Sequence, residues 1–163
     1  MKIGVLSDTH FSDLVMAQRF ADQLLAGHFA DVAAILHAGD TVIPALESCF
    51  YRLPWYAVRG NMDLTSCGVP ESRVVRIGGK LIGMIHGWGS SKDIEKHVLQ
   101  SFQGQPSDAL VFGHSHMPVC RYVGPMLLFN PGSPTDRRSA KNHTIGILIL
   151  GSRIEGEIIA LDG

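Results

Sequence analysis

The sequence predicts an α/β or α+β sandwich with mixed β-sheets inside and helices outside. The first third alternates apolar strand, amphipathic helix and apolar strand, which is the pattern of a βαβ unit with a parallel strand pair. The middle holds two apolar runs separated by Gly78-Gly79, which reads as a hairpin. The last third is rich in short strands joined through Gly-Pro or Gly-Ser connections, which suggests an antiparallel meander.

Taken in order, residues 2–6 form a continuous apolar run suited to a strand buried on both faces. Ser12 is placed to cap a helix, with Asp13 in its first turn. Leu14, Ala17, Phe20, Ala21, Leu24 and Leu25 recur at helical spacing, and Gly27 ends the pattern. Val32 to Leu36 is the second strand. Pro44 suits the first position of a short helix carrying Leu46, Cys49 and Phe50. Trp55 to Val58 follows as a third strand. Arg73 to Ile77 and Leu81 to Ile85 are the arms of the hairpin. Ser90 or Ser91 is positioned to cap a helix with Ile94, Val98, Leu99 and Phe102 on one face. Strand 109–112 comes next, followed by strands at 119–122, 126–129, 144–150 and 154–161.

The 163 residues fit a single domain over 1–163, large enough to bury a real core. Lys and Arg (14) nearly balance Asp and Glu (15), so nothing marks a dedicated nucleic-acid or membrane-surface binder, which carries a basic excess. Cys49, Cys67 and Cys120 are widely spaced and odd in number, which fits free buried thiols in a reducing compartment. Met1-Lys2 leads directly into a strand and no apolar run approaches the ~20 residues of a membrane span, so a cytoplasmic location is expected.

Polar residues of metal-ligand type follow five of the apolar runs: Asp8 and His10, Asp40, Asn61, His86, and His114 with His116. In α/β sheets the ligand crevice lies outside the carboxyl ends of the strands, so these loops are expected to meet. Gly39, Gly60 and Gly113 stand in three of them, and glycine lets backbone turn sharply or approach a ligand closely. Taken singly, each reads as a hydrogen-bonded histidine or a turn former; together they read as a site. Seven donors exceed the four that a structural zinc takes. They suit two cations, about 3.5–4 Å apart in two-metal hydrolases. Imidazole, carboxylate and amide donors favour Mn, Fe, Zn or Ni over Mg, which prefers oxygen and keeps its waters. His28, His37, His97 and His143 are read as surface or supporting residues, with His37 the one to watch beside Gly39-Asp40.

Asp8-x-His10, Gly39-Asp40, Gly60-Asn61-x-Asp63, His86-Gly87 and Gly113-His114-x-His116 together resemble the calcineurin-like metallophosphoesterase signature, in order and over most of the chain. The lack of insertions and the Asn130-Pro131-Gly132-Ser133 stretch resemble the small bacterial and archaeal phosphodiesterases of the YfcE type. The resemblance implies a four-layer αββα sandwich of two mixed sheets flanked by helices. It also implies hydrolysis of a small phosphodiester by a hydroxide that bridges two divalent metals. Manganese is the first expectation, with nickel, iron, zinc or magnesium as alternatives. Asp8, His10 and His116 would hold the first metal, Asn61, His86 and His114 the second, and Asp40 would bridge them. Asp8, Asp40, Asn61, His86 and His114 would carry the catalysis. Many relatives have histidine where this chain has Met62, which cannot protonate a leaving oxygen; YfcE-type relatives also lack it.

Asp63 is expected to orient a metal-bound histidine. Arg59 is expected either to contact phosphate or to form a structural ion pair, and Arg137, Arg138 and Lys141 to form a solvated basic loop. A homo-oligomer, dimer or tetramer, is expected from the apolar C-terminal strands and from relatives that assemble. Two other functions share the fold: a catalytically silent scaffold like the retromer subunit, and a nucleotide or nucleic-acid hydrolase. The first is disfavoured because all seven positions keep competent donors. The second would need a basic groove or extra domains.

Overall fold

A computed structural model describes residues 1–162, apart from the side chain of Cys67. The elements run β1 (Lys2–Leu6), α1 (Leu14–Ala26), β2 (Val32–His37), α2 (Leu46–Cys49), β3 (Trp55–Ala57), a 3-10 turn (Thr65–Cys67), β4 (Ser72–Ile77), β5 (Lys80–Ile85), α3 (Ile94–Ser101), β6 (Ala109–Val111), β7 (Val119–Val123), β8 (Met126–Asn130), β9 (Thr144–Leu150) and β10 (Ile154–Ala160). They form two five-stranded sheets, ordered β10-β9-β1-β2-β3 and β4-β5-β6-β8-β7. Each sheet contains a parallel trio, β1-β2-β3 running to the edge of one and β5-β6-β8 at the centre of the other. Antiparallel β9 and β10 extend the first trio beyond β1, and antiparallel β4 and β7 flank the second on both sides.

Three apolar interfaces stack the four αββα layers. Alternation along each buried strand divides its side chains between them. Ile3 and Val5 of β1, Ala34 and Leu36 of β2, Ile82 and Met84 of β5, and Leu127 and Phe129 of β8 meet between the sheets. Leu6 and Ile35 face outward onto Ala17, Ala21 and Leu24 of α1 and onto Leu46, Cys49 and Phe50. Leu110, Phe112 and Leu128 face Ile94, Val98 and Phe102 on the opposite side. Both faces of the central strands are therefore covered, which is why they read as unbroken apolar runs.

Several local expectations are corrected. The α1 cap is Asp13, whose carboxylate accepts the Met16 N–H at 2.8 Å, not Ser12. Such a cap is worth about 1 kcal/mol. Leu14 lies in the exposed first turn instead of the buried stripe. Asp93 caps α3 without a side-chain bond, because Ser90 Oγ donates to the Asp93 carboxylate. The C-terminal strands form two hairpins in different sheets: β7-β8 sits beside β6, and β9-β10 crosses over to β1. Leu148 and Ile154 complete the inter-sheet core, and that burial draws the last hairpin across. Cys49 is buried as expected, but Cys120 is exposed on the flanking strand β7. The reading of Cys67 as buried falls on a side chain outside those described.

Candidate metal centre

The carboxyl ends of β1, β2, β3, β5 and β6 converge on one edge of the sandwich, and each delivers its polar loop there. Asp8, His116, Asp40 and His86 are buried, His10 and His114 are partly buried, and Asn61 is exposed. Asp8 Oδ1 lies 3.3 Å from His116 Nε2 and 3.9 Å from both His10 Nε2 and His86 Nε2. Asp40 Oδ2 lies 3.4 Å from His86 Nε2 and 3.7 Å from His10 Nε2. Asn61 Oδ1 is 3.1 Å from His86 Nε2 and 3.0 Å from His114 Nδ1. All seven sequence-predicted residues are thus brought together. Asp8, His10 and His116, and Asp8, Asp40 and His86, each gather ligand atoms within 4.8 Å of one another.

Two pairs at the centre of the site, His86 with Asp40 and His116 with Asp8, lack a donor between them. His86 Nδ1 bonds the Ala38 carbonyl at 2.7 Å, and His116 Nδ1 bonds the Asp136 carbonyl. A carbonyl only accepts, so both Nδ1 atoms carry the hydrogen and both neutral rings turn a bare Nε2 lone pair inward. Those lone pairs face carboxylate oxygens, and no rotation of a carboxylate relieves acceptor against acceptor. Only a proton or a metal cation does. Burial pulls the His116 and His86 pKa values down. The Asp8 and Asp40 carboxylates outweigh it and raise both above the ordinary histidine value. Burial likewise pushes the Asp8 and Asp40 carboxyls up. His116 and His86 acting on Asp8, and His86 acting on Asp40, outweigh it and hold both below the ordinary range. The site is built to attract positive charge, and its donor set fits divalent transition metals.

The backbone is bent to make this arrangement. Asp8, His10, Asp40, His114 and His116 all have φ between 44° and 68°, the left-handed region that L-residues seldom enter. Two glycines let the loops close. A Cβ on Gly60 would stand 2.1 Å from Asp40 Oδ1, and one on Gly113 would stand 1.9 Å from Ser7 Oγ.

Hydrogen bonds hold the far side of each carboxylate. Met62 N donates to Asp40 Oδ1 at 2.8 Å, which leaves Oδ2 to face the histidines. Ser7 Oγ donates to Asp8 Oδ2 at 2.6 Å, and His114 N joins it at 3.0 Å. Asp63 does not orient a histidine. Its carboxylate accepts the backbone N–H groups of Asp40, Gly60 and Val42 at 2.8–2.9 Å and so clamps the Asp40 loop to the Asn61 loop. Backbone carbonyls orient the rings instead, Gly89 doing so for His114 Nε2 at 3.1 Å. Arg59 pairs with Glu71, so the ion-pair expectation holds. Arg138 is more than solvated: it donates to the His114 carbonyl at 3.2 Å.

Sequence reasoning missed the braces. Asn130 Nδ2 donates to the Gly113 carbonyl at 3.0 Å, and Ser133 Oγ donates to the Asp8 carbonyl at 2.7 Å. The stretch from Asn130 to Ser133 therefore ties the loops of β1 and β6 together, a role its sequence alone does not disclose. His37 is buried and supports the site from beneath. Its Nδ1 accepts from Gly39 N at 3.2 Å and lies 3.1 Å from Thr41 Oγ1, while Nε2 is 3.1 Å from Thr9 Oγ1. Burial pushes its pKa down to about 4.

The family model for the calcineurin-like phosphoesterase superfamily domain matches residues 1–153. The chain belongs to that superfamily. This calcineurin-like phosphoesterase is 35% identical over 161 residues to a protein of Methanothermobacter thermautotrophicus named "Probable metallophosphoesterase", covering 98% of this chain and 92% of the relative. It superposes on the solved structure of an archaeal phosphodiesterase with a TM-score of 0.78 and 26% identity, over 99% of this chain and all (100%) of the other. Vps29 of Chaetomium thermophilum shares the fold at a TM-score of 0.75 and 19% identity, covering 98% and 95% of the two chains. Fold alone does not fix activity.

Proposed function

We propose that the chain is a metal-dependent phosphodiesterase working with two divalent cations. The observation that carries this reading is the set of inward lone pairs on buried histidines facing carboxylates with no donor between them. Asp8, His10 and His116 would hold one cation, Asn61, His86 and His114 the other, and Asp40 both. Such cations acidify bound water towards neutral pH and offset charge on phosphoryl oxygens. The protein's own part is to fix the donors: Met62 N and Asp63 immobilise Asp40, and Ser7, Ser133 and Asn130 immobilise Asp8 and the His114 loop.

A diester substrate is favoured over a monoester on charge. A monoester near neutral pH carries about −1.5 to −2, against −1 for a diester. The arginines nearest the site are already engaged, Arg59 by Glu71 and Arg138 by Asp136 and the His114 carbonyl. The likeness to an archaeal phosphodiesterase points the same way. Manganese is proposed as the working metal, ahead of nickel, iron, zinc or magnesium. The test is hydrolysis of bis(p-nitrophenyl) phosphate against p-nitrophenyl phosphate after loading with each metal. The diester is expected to be cleaved faster, most strongly with manganese. Cleavage of the monoester alone would overturn the diester assignment, and cleavage of neither would overturn the enzymatic one.

A further inference from the structure

The loop that delivers His86 also carries Trp88, a large aromatic residue left half exposed (50%) beside a charged centre. Burying such a ring against a ligand would be favourable. It is held firmly. The indole stacks on His97 of α3 with ring centroids 5.3 Å apart and an interplanar angle of 7°. His97 Nδ1 bonds the Trp88 carbonyl at 3.1 Å. The next carbonyl, Gly89 O, accepts from His114 Nε2. One side of the loop is thus fastened to α3 and the other to a site histidine.

Trp88 borders a cavity of about 260 Å³ whose other walls include Asn61 and His86 from the candidate metal centre. Its lining also includes the buried Ile85 and the polar side chains of Arg59, Glu71 and Thr65. A phosphorus atom bound at Asn61 and His86 would have this cavity beside it, open to one of its ester groups. An indole and an isoleucine beside side chains that donate and accept hydrogen bonds suit a flat ring with a polar edge.

We infer that Trp88 is a specificity-determining residue: it stacks against a planar aromatic ester group of the substrate, so that the preferred diesters carry a nucleobase or a comparable aryl ring. The inference rests on the phosphodiesterase reading and names its substrate class. Stacking of a base on an aromatic side chain is worth about 1–3 kcal/mol by alanine substitution, which corresponds to roughly 5- to 150-fold in affinity.

Two measurements test it. The first compares kcat/KM for bis(p-nitrophenyl) phosphate, for thymidine 5′-(p-nitrophenyl) phosphate and for methyl p-nitrophenyl phosphate. All share one leaving group, so the ratio of each aromatic diester to the methyl one, taken between wild type and variant, cancels intrinsic reactivity. Trp88→Ala should lower these ratios at least 5-fold through KM, and Trp88→Phe should retain most of each. A fall confined to the thymidine ratio assigns the wall to nucleobases, and a fall in both assigns it to aryl rings generally. Unchanged ratios in an active Trp88→Ala enzyme would overturn the inference. The second needs no turnover. Trp88 is one of two tryptophans, and the other, Trp55, is packed between His37 and Phe50. Adenosine 5′-monophosphate should quench fluorescence of the zinc-loaded wild type, and methyl phosphate should not. Equal quenching of Trp88→Phe would overturn the stacking assignment. Absence of diester cleavage by the wild type with every metal would instead overturn the parent reading, and this one with it.

Discussion

The two halves of the candidate metal centre are built differently. Asp8, Asp40, His86 and His116 lie buried, with each outward-facing polar atom committed to backbone or to Ser7. Asn61, Met62 and Trp88 stand at the open side, where Met62 is 58% exposed. The buried half cannot move without breaking several hydrogen bonds, which suits it to fixing the spacing of charge. The open half has the access to meet a substrate. Substitutions in the first should therefore damage the chemistry itself, and those at Met62 and Trp88 should change which substrates are used.

The sharpest test of that division is Asp40→Ala. Its single inward oxygen lies between His10 and His86, so losing it removes the link between the two sides. A loss of about 10³-fold or more in kcat is expected, equivalent to roughly 4 kcal/mol in the barrier. Next comes position 62. General acid catalysis is typically worth ~10²–10⁴-fold, and Met62 has no proton to give. Across a series of aryl diesters the wild-type rate should fall steeply as leaving-group pKa rises, and Met62→His should flatten that dependence. A flat wild-type series would mean that another group supplies the proton. Asp63→Ala is predicted to cost less than Asp40→Ala, about 10–100-fold, because it loosens the loop that positions a ligand and leaves the ligand in place. Equal losses for the two would erase the distinction between holding a cation and holding the holder.

The support beneath the buried half shows in stability and not in turnover. His37 has its folded pKa lowered to about 4 from 6.5, chiefly by burial, with Asp63, Asp8 and Asp40 opposing the shift and His86 adding to it. The unfolded chain then binds the extra proton first. Stability is full above pH 6.5 and declines as pH falls towards 4, by up to about 3 kcal/mol from this group. Urea unfolding of wild type and His37→Gln across this window should show a shallower acid decline in the variant.

Much of this was legible from strand ends. The apolar runs announced the central strands because both faces of each are covered, and the polar residues after them announced the edge where ligands gather. The partners of the last two hairpins were not legible, because Leu148 and Ile154 fit either sheet until the other layers are in place. The left-handed backbone at Asp8, His10, Asp40, His114 and His116 was equally hidden, since the loops adopt it only under tertiary restraint. Asp63 misled for a related reason: a carboxylate near metal-type histidines suggests one that orients a ring, whereas three backbone N–H groups claimed it first.

The central claim is that the converging lone pairs hold two divalent cations, and counting metal tests it most directly. Protein loaded with manganese and freed of excess by gel filtration should contain two metal ions per chain by elemental analysis. Asp40→Ala should contain fewer, and chelator should remove both the metal and the diester hydrolysis, with manganese restoring each. A wild-type protein that binds no metal, yet hydrolyses diesters unchanged in EDTA, would contradict the account.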